Sequence, residues 1–258
     1  MTAMAKKIRI GVFIPNRAQA LDTACADMLG IMSKEFLATI PPPLLPSFVI
    51  DVAPHVDMFY ITSPGQGPEI PLSSGMTLKA THDYTDPEVA PGNLDIVVIP
   101  GPELTVKFEE GTLDWLRRQF NTPGVDILSI CSAMFMCGEA GIADGKTVAG
   151  TRSLQGMFKK RFPNVNFVGD KYRWVQDGNL WSSGGVVNGN DLMAAYTRAC
   201  NRWPQSIVEA GISIAEVEYR DQAYESRQTT YMLGLAWKML RVWCASFWSA
   251  NKKADKTS

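Results

Sequence analysis

The stretch Val125-Asp126-Ile127-Leu128-Ser129-Ile130-Cys131-Ser132-Ala133-Met134-Phe135-Met136-Cys137-Gly138 leaves few folds open. A mostly apolar run halts at a cysteine. A small hydroxyl residue follows, then small and bulky apolar residues suited to a buried helix, then Glu139-Ala140-Gly141. The pattern predicts a buried strand, a sharp turn carrying Cys131, and a helix that begins at once. A thiol there points out of the end of a sheet toward the positive end of a helix, where a thiolate is stabilised and can act as a nucleophile. Taken alone, the pattern favours a plainer assignment, a free cysteine packed as a small apolar residue. The rest of the chain decides between the two.

Other segments build a sheet of the same kind. Ile8 to Ile14 is apolar apart from Arg9, as is Leu94 to Pro100 after Asp95, and both predict strands covered on two faces. Asp57 to Thr62 predicts another strand, and Thr77 to Tyr84 one near an edge. Between them lie helical patterns: Ala18 to Met32, the segment of Leu113, Trp115, Leu116 and Phe120, and Ser153 to Phe162. Arg173 to Gly184 reads as a hairpin turning at Asp177-Gly178-Asn179. Helices follow at Asp191 to Arg202, with Asn188 or Asn190 as its cap, at Pro204 to Ala215, and at Thr229 to Ala250. Pro41 to Pro46 can be neither helix interior nor central strand and reads as a surface insertion.

Strands alternating with helices predict an α/β fold, a flavodoxin-like three-layer sandwich with a mainly parallel central sheet and a nucleophile elbow. One domain is expected over residues 1–250, with a polar, disordered tail over 251–258. Sites in such sheets form at the carboxyl ends of strands. Three of those ends carry candidates: Pro15 to Asp22, Gly101, and Cys131-Ser132.

Charge and composition narrow the function classes. A net charge of −1 with 20% charged residues gives no basic face for nucleic acid. The five cysteines form no CxxC, and the two histidines are His55 and His82, so no structural zinc site is expected. Reduced thiols fit a cytoplasmic setting. Ile8 to Pro15 is short for a signal segment and reads as a first strand, and no run of about 20 apolar residues predicts a membrane span. No phosphate loop or dinucleotide fingerprint occurs, so no cofactor is expected.

In order and spacing the chain resembles the ThiJ/PfpI family of the class I glutamine amidotransferase-like superfamily. The resemblance is carried by Val97-Val98-Ile99-Pro100-Gly101, by Ile127-Leu128 running into Ser129-Ile130-Cys131-Ser132-Ala133, and by Glu139-Ala140-Gly141-Ile142-Ala143-Asp144-Gly145-Lys146. Arg161-Phe162-Pro163, Arg173-Trp174-Val175 with Asp177-Gly178-Asn179, and Ser182-Ser183-Gly184-Gly185-Val186 before Asn190-Asp191-Leu192 continue it. It implies a nucleophilic cysteine on a strained elbow, a homodimer, and an acidic residue from the first helix region beside the cysteine. Asp22 stands where that residue belongs. Many members place a histidine shortly after the Asp-Gly turn. Here the segment reads Val148-Ala149-Gly150-Thr151-Arg152-Ser153, with Thr151 in the histidine position.

The candidate catalytic residues are therefore Cys131 as nucleophile, Asp22 as acid/base or hydrogen-bond partner, and Gly101 and Ser132 as backbone donors to developing negative charge. The Ser132 hydroxyl is a further proton donor. Thr151 and Arg152 are candidate substrate-binding residues. The plainer assignments are a helix-start carboxylate for Asp22 and an exposed helix-start arginine for Arg152. His82 is read as a surface strand end rather than a site residue, and the Met and Trp residues of the last helix as core or dimer surface.

Within the family, isonitrile hydratases resemble the chain best, because they pair a cysteine with an aspartate of the first helix region and a hydroxyl residue near the cysteine. A glyoxalase or deglycase acting on α-oxoaldehydes, a tailoring enzyme for a larger metabolite, and a cysteine redox sensor are the alternatives.

Overall fold

A computed structural model of the chain describes residues 7–185 and 187–254, the last nine of these by their backbone alone. In chain order the first half runs β1 (Lys7–Phe13), α1 (Ala20–Ala24), α2 (Asp27–Ile31), α3 (Lys34–Leu37), α4 (Ser47–Val52), β2 (His55–Thr62), β3 (Glu69–Pro71), β4 (Thr77–Lys79), β5 (His82–Asp83), β6 (Ile96–Ile99) and α5 (Glu110–Asn121). The second half runs β7 (Asp126–Ile130), α6 (Met134–Glu139), β8 (Thr147–Val148), α7 (Gln155–Arg161), β9 (Asn166–Phe167), β10 (Trp174–Asp177), β11 (Leu180–Ser183), α8 (Val187–Ala199), α9 (Gln205–Ile214) and α10 (Gln228–Ala254).

Seven strands form the central sheet in the order β10-β11-β7-β6-β1-β2-β5. All neighbours are parallel except β10 and β11, the predicted hairpin. Alternation along each strand feeds two cores. Ile96 and Val98 of β6 join α2, α8 and α9 on one face, while Val97 and Ile99 join α5, α6 and α7 on the other. Both faces are covered, which is why these strands are written as unbroken apolar runs. The result is the flavodoxin-like α/β sandwich.

Several predicted elements are redrawn. The single helix expected over Ala18 to Met32 is two short ones. Thr23 turns its hydroxyl onto the Gln19 carbonyl and Cys25 its thiol onto the Asp22 carbonyl, and such back-bonding bends a helix. The strand expected over Thr77 to Tyr84 is also divided: β4 pairs with β3 in a separate ribbon, and β5 joins the edge of the main sheet. Helix α8 starts at Val187, so Asn188 and Asn190 lie inside its first turn rather than at the cap position.

The segment Pro41 to Pro46 is exposed except for Leu45, as expected of an insertion. Helix α10 continues through Ala254, past the boundary expected at 251, and positions 255–258 lie outside the described residues. Its Met232, Trp237, Met239 and Trp243 are exposed rather than core. The side chain of Trp248 is not among those described. Cys244 of the same helix is exposed as well. Among the described residues no helix is long and apolar enough to cross a membrane.

Candidate active site

Strand β7 ends at Ile130, and Cys131 opens a single turn of tight helix over Cys131–Ala133 that runs directly into α6. The backbone of Cys131 is left-handed, with φ of +62°. A side chain there costs energy that only surrounding structure can hold in place. The turn presents the thiol at the carboxyl end of the sheet, where the side chain is 7% exposed.

Two glycines make room around it. A Cβ at Gly185 would meet the Cys131 sulfur at 3.0 Å. A Cβ at Gly101 would meet the Asp22 Oδ2 at 2.5 Å, the Ser132 Oγ at 2.7 Å and the Cys131 Cβ at 3.1 Å. Gly101, Asp22, Ser132 and Cys131 thus converge on one point. Asp22 arrives from α1 and is fully buried. Its loop is clipped in place where the Gln19 amide donates to the Gly101 carbonyl (3.0 Å) and the Ala20 amide to the Ser73 hydroxyl (3.1 Å). A helix-start carboxylate would face solvent; this one faces the thiol and hydrogen-bonds it.

The Thr151 hydroxyl lies 3.1 Å from the sulfur. Its loop leaves β8 and is held by the Ala149 amide on the Ser182 hydroxyl (2.8 Å) and by the Gln155 amide on the Gly150 and Thr151 carbonyls (3.2 Å each). A threonine hydroxyl therefore stands at the sulfur where a histidine is expected of many relatives. His55 pairs with Glu35, and His82 hydrogen-bonds Thr81 and Glu88 on the edge strand.

Burial, and then the negative charge of Asp22, push the Cys131 thiol up to about 11. The Thr151 hydroxyl and the Ser132 amide pull the other way by hydrogen bonding to the sulfur. Burial beside a carboxylate thus opposes the thiolate that a helix end would favour. The Ser132 hydroxyl donates to the Pro102 carbonyl at 2.7 Å, so its proton is engaged there. Arg152 is also not as expected. It is neither exposed nor turned to the site; it is buried against Tyr224 and Tyr231, and its guanidinium bonds Ser226 and Gln228.

The thiol opens into a cavity of about 420 Å³ lined by Gln19, Ser73, Gly101, Pro102, Glu103, Leu104, Cys131, Ser132, Thr151, Ser153 and Leu154. Sequence reading passed over Gln19, Ser73, Leu104 and Leu154, whose local patterns carry no chemical signal. Gly185 had one, a Gly-Gly pair at the end of a predicted strand, where close backbone approach is a standing reason for glycine.

Comparison with known proteins agrees with this architecture. An isonitrile hydratase from Pseudomonas putida is 30% identical over 122 residues, 46% of this chain and 50% of the relative, so the chain spans about half the length of that curated relative. Among solved structures, DJ-1beta of Drosophila melanogaster superposes with a TM-score of 0.61 at 20% identity, over 84% of this chain and all of that one. A ThiJ/PfpI family protein from Pseudomonas syringae gives 0.62 at 15% identity over 84% and 77%. An AraC family transcriptional regulator from Pseudomonas putida gives 0.60 at 15% identity over 81% and 99%. At these identities the likeness is one of fold. The model of the DJ-1/PfpI family matches residues 55–199, more than half of the chain and the part that carries Gly101, Cys131 and Thr151; the chain belongs to the DJ-1/PfpI family.

Proposed function

We propose that the chain is a cysteine-dependent enzyme that adds water to a small electrophilic carbon, with an isonitrile as its substrate class. The observation that carries this reading is the buried thiol of Cys131 beside the fully buried Asp22 carboxyl at the floor of an open cavity. A protonated thiol is a poor nucleophile until a neighbouring base takes its proton, and Asp22 is that base. The isonitrile hydratase relative supports the same reading.

In the first step the Cys131 sulfur bonds to the terminal carbon of R–NC while Asp22 passes the thiol proton to that carbon, giving a thioimidate, R–N=CH–S–Cys131. Asp22 next deprotonates water, whose oxygen bonds to the same carbon, and the proton moves to nitrogen. Finally Asp22 takes the hydroxyl proton, the carbonyl forms, the carbon–sulfur bond breaks and the sulfur is reprotonated. The product is R–NH–CHO, the sum of isonitrile and water. The backbone amides of Gly101 and Ser132 serve as donors to charge that develops in these steps.

The cavity also speaks to R. Its lining includes Leu104 and Leu154, and its charged member among the described residues is Glu103, which is paired with Arg17. With Arg152 turned away, the site suits an uncharged, partly apolar group and disfavours a carboxylate. A volume of this order admits a group of ligand size, which keeps a tailoring step on a larger metabolite as the second reading. The raised thiol weighs against a redox sensor, which needs a low-pKa sulfur.

The test is incubation of the reduced protein with a neutral aryl isonitrile and a carboxylate-bearing analogue, with N-formyl product followed by NMR. Turnover of the neutral compound is expected, with the anionic one at least about tenfold slower. No isonitrile loss by protein whose Cys131 is an intact thiol by mass spectrometry overturns the proposal.

A further inference from the structure

Arg152 directly follows the residue that touches the nucleophile, and its side chain reaches the C-terminal part of the chain. Its guanidinium lies 4.0 Å from the Tyr224 ring and 4.6 Å from the Tyr231 ring, as cations sit on aromatic faces. Nε donates to the Gln228 Oε1 (3.1 Å), Nη1 to the Ser226 hydroxyl (3.2 Å) and Nη2 to the Ser226 carbonyl. Gln228 completes the bracket, its Nε2 donating to the Arg152 carbonyl at 2.9 Å. Side chain and main chain of one residue are thus gripped by one segment.

That segment is itself pinned to the residues that lead into β10. The Arg173 amide donates to the Gln222 carbonyl (2.7 Å), the Tyr224 amide to the Lys171 carbonyl (2.8 Å), and the Arg173 guanidinium to the Asp221 and Ala223 carbonyls (2.6 Å each). Tyr224 also contacts the segment that follows β11. Its hydroxyl accepts from the Asn188 amide at 2.7 Å and lies 3.1 Å from where a Cβ at Gly184 would be, next to the Gly185 that abuts the sulfur. The whole segment lies beyond residues 55–199, the stretch matched by the family.

We infer that Arg152 is a positioning residue through which the C-terminal segment Gln222–Tyr231 sets the Thr151 hydroxyl against the Cys131 sulfur. The inference rests on Cys131 being the reactive thiol of the proposed function. The segment is then part of the site, and α10, which begins at Gln228, hangs from the same bracket. A hydroxyl donating to sulfur favours its ionised form, so loosening the bracket makes the thiol harder to ionise.

The test is the pH profile of Cys131 alkylation by iodoacetamide in the reduced full-length protein, read by peptide mass spectrometry. It needs no substrate, so its failure is distinguishable from failure of the isonitrile reading. Arg152→Met is expected to shift the profile upward by about 0.7 pH unit, a roughly fivefold slower reaction at fixed pH, as for loss of one hydrogen bond. Thr151→Val should give the same shift, and the double variant no more than Thr151→Val alone, because both remove one contact. Arg152→Lys should not restore it, since an ammonium cannot make the planar fork. Gln228→Leu loosens the bracket from the other side and decides the matter alone if Arg152→Met does not fold. An unshifted profile in folded variants, a faster rate at every pH without a shift, or effects that multiply in the double variant each overturn the inference.

Discussion

The α-carbon of Gly101 faces the Asp22 carboxylate so closely that a Cβ there would lie 2.5 Å from Oδ2. The same Cβ would press on the Ser132 hydroxyl and the Cys131 Cβ, so one methyl group disturbs three members of the site. Gly101→Ala is expected to lower kcat/KM for isonitrile hydration by roughly 10²-fold, the scale set by misplacing a catalytic group by about 1 Å. Overpacking should also cost about 1–3 kcal/mol of stability. Steady-state kinetics and urea unfolding on one preparation check both; an Ala variant with native kinetics would show that Asp22 and the thiol do not need this spacing.

Asp22 is expected to have opposite effects on two properties usually measured together. Burial does most to raise the Cys131 thiol to about 11, and the charge and hydrogen bond of Asp22 add to it. Asp22→Asn removes the charge, so the thiol titrates lower and alkylation at pH 8 should speed up, by about tenfold for each unit of downward shift. Turnover should fall by about 10²-fold or more, because the base that moves the proton is gone. Parallel alkylation and turnover assays separate the two. Reactivity and turnover falling together would mean that Asp22 only supports the fold.

What could be read from the sequence follows what each residue's neighbours are. Ile8 to Ile14 and Leu94 to Pro100 are flanked on both faces by protein, so their composition states their position, and both became central strands. The strand, turn and helix around Cys131 were legible because they are contiguous, but that pattern alone favours a packed cysteine, and the resemblance across the rest of the chain made it the nucleophile. Asp22 and Thr151 were found by resemblance rather than by local pattern, since contacts across 20 residues or more leave no periodicity. Arg152 shows the limit. Its surroundings are supplied by Tyr224, Ser226, Gln228 and Tyr231, over 70 residues away, and nothing near position 152 distinguishes a clamped arginine from a solvated one. Likewise, Thr23 and Cys25 fit a helix by spacing, and only their side-chain bonds to carbonyls break it.

The left-handed backbone at Cys131 makes a prediction of its own. Glycine adopts φ of +62° without penalty, whereas any residue with a Cβ pays about 1–2 kcal/mol. Comparing Cys131→Gly with Cys131→Ala isolates that term, since both lose the sulfur and differ by one methyl group. The glycine variant should be the more stable by about 1 kcal/mol in urea unfolding, although glycine usually lowers stability relative to alanine. Both should be inactive. An alanine variant as stable as the glycine variant would remove the case for stored strain at the elbow.

Buried thiols also fix how stability depends on alkaline pH. Burial raises Cys131 to about 11, Cys137 to about 12, and Cys25 in the same direction, from an ordinary value of 9.0. The unfolded chain releases these protons near pH 9 while the folded chain still holds them. Stability from this source is therefore fully present below pH 9 and is lost as pH rises toward the folded values. For Cys131 alone the two-unit difference corresponds to about 3 kcal/mol across pH 9 to 11. Urea midpoints of the reduced protein at pH 8, 9.5 and 10.5 should fall progressively. Asp22→Asn should flatten the part due to Cys131, because it lowers the folded value toward the unfolded one. Midpoints that do not move across this range would mean that the thiols ionise equally in both states, and that the burial seen around Cys131 does not govern its chemistry.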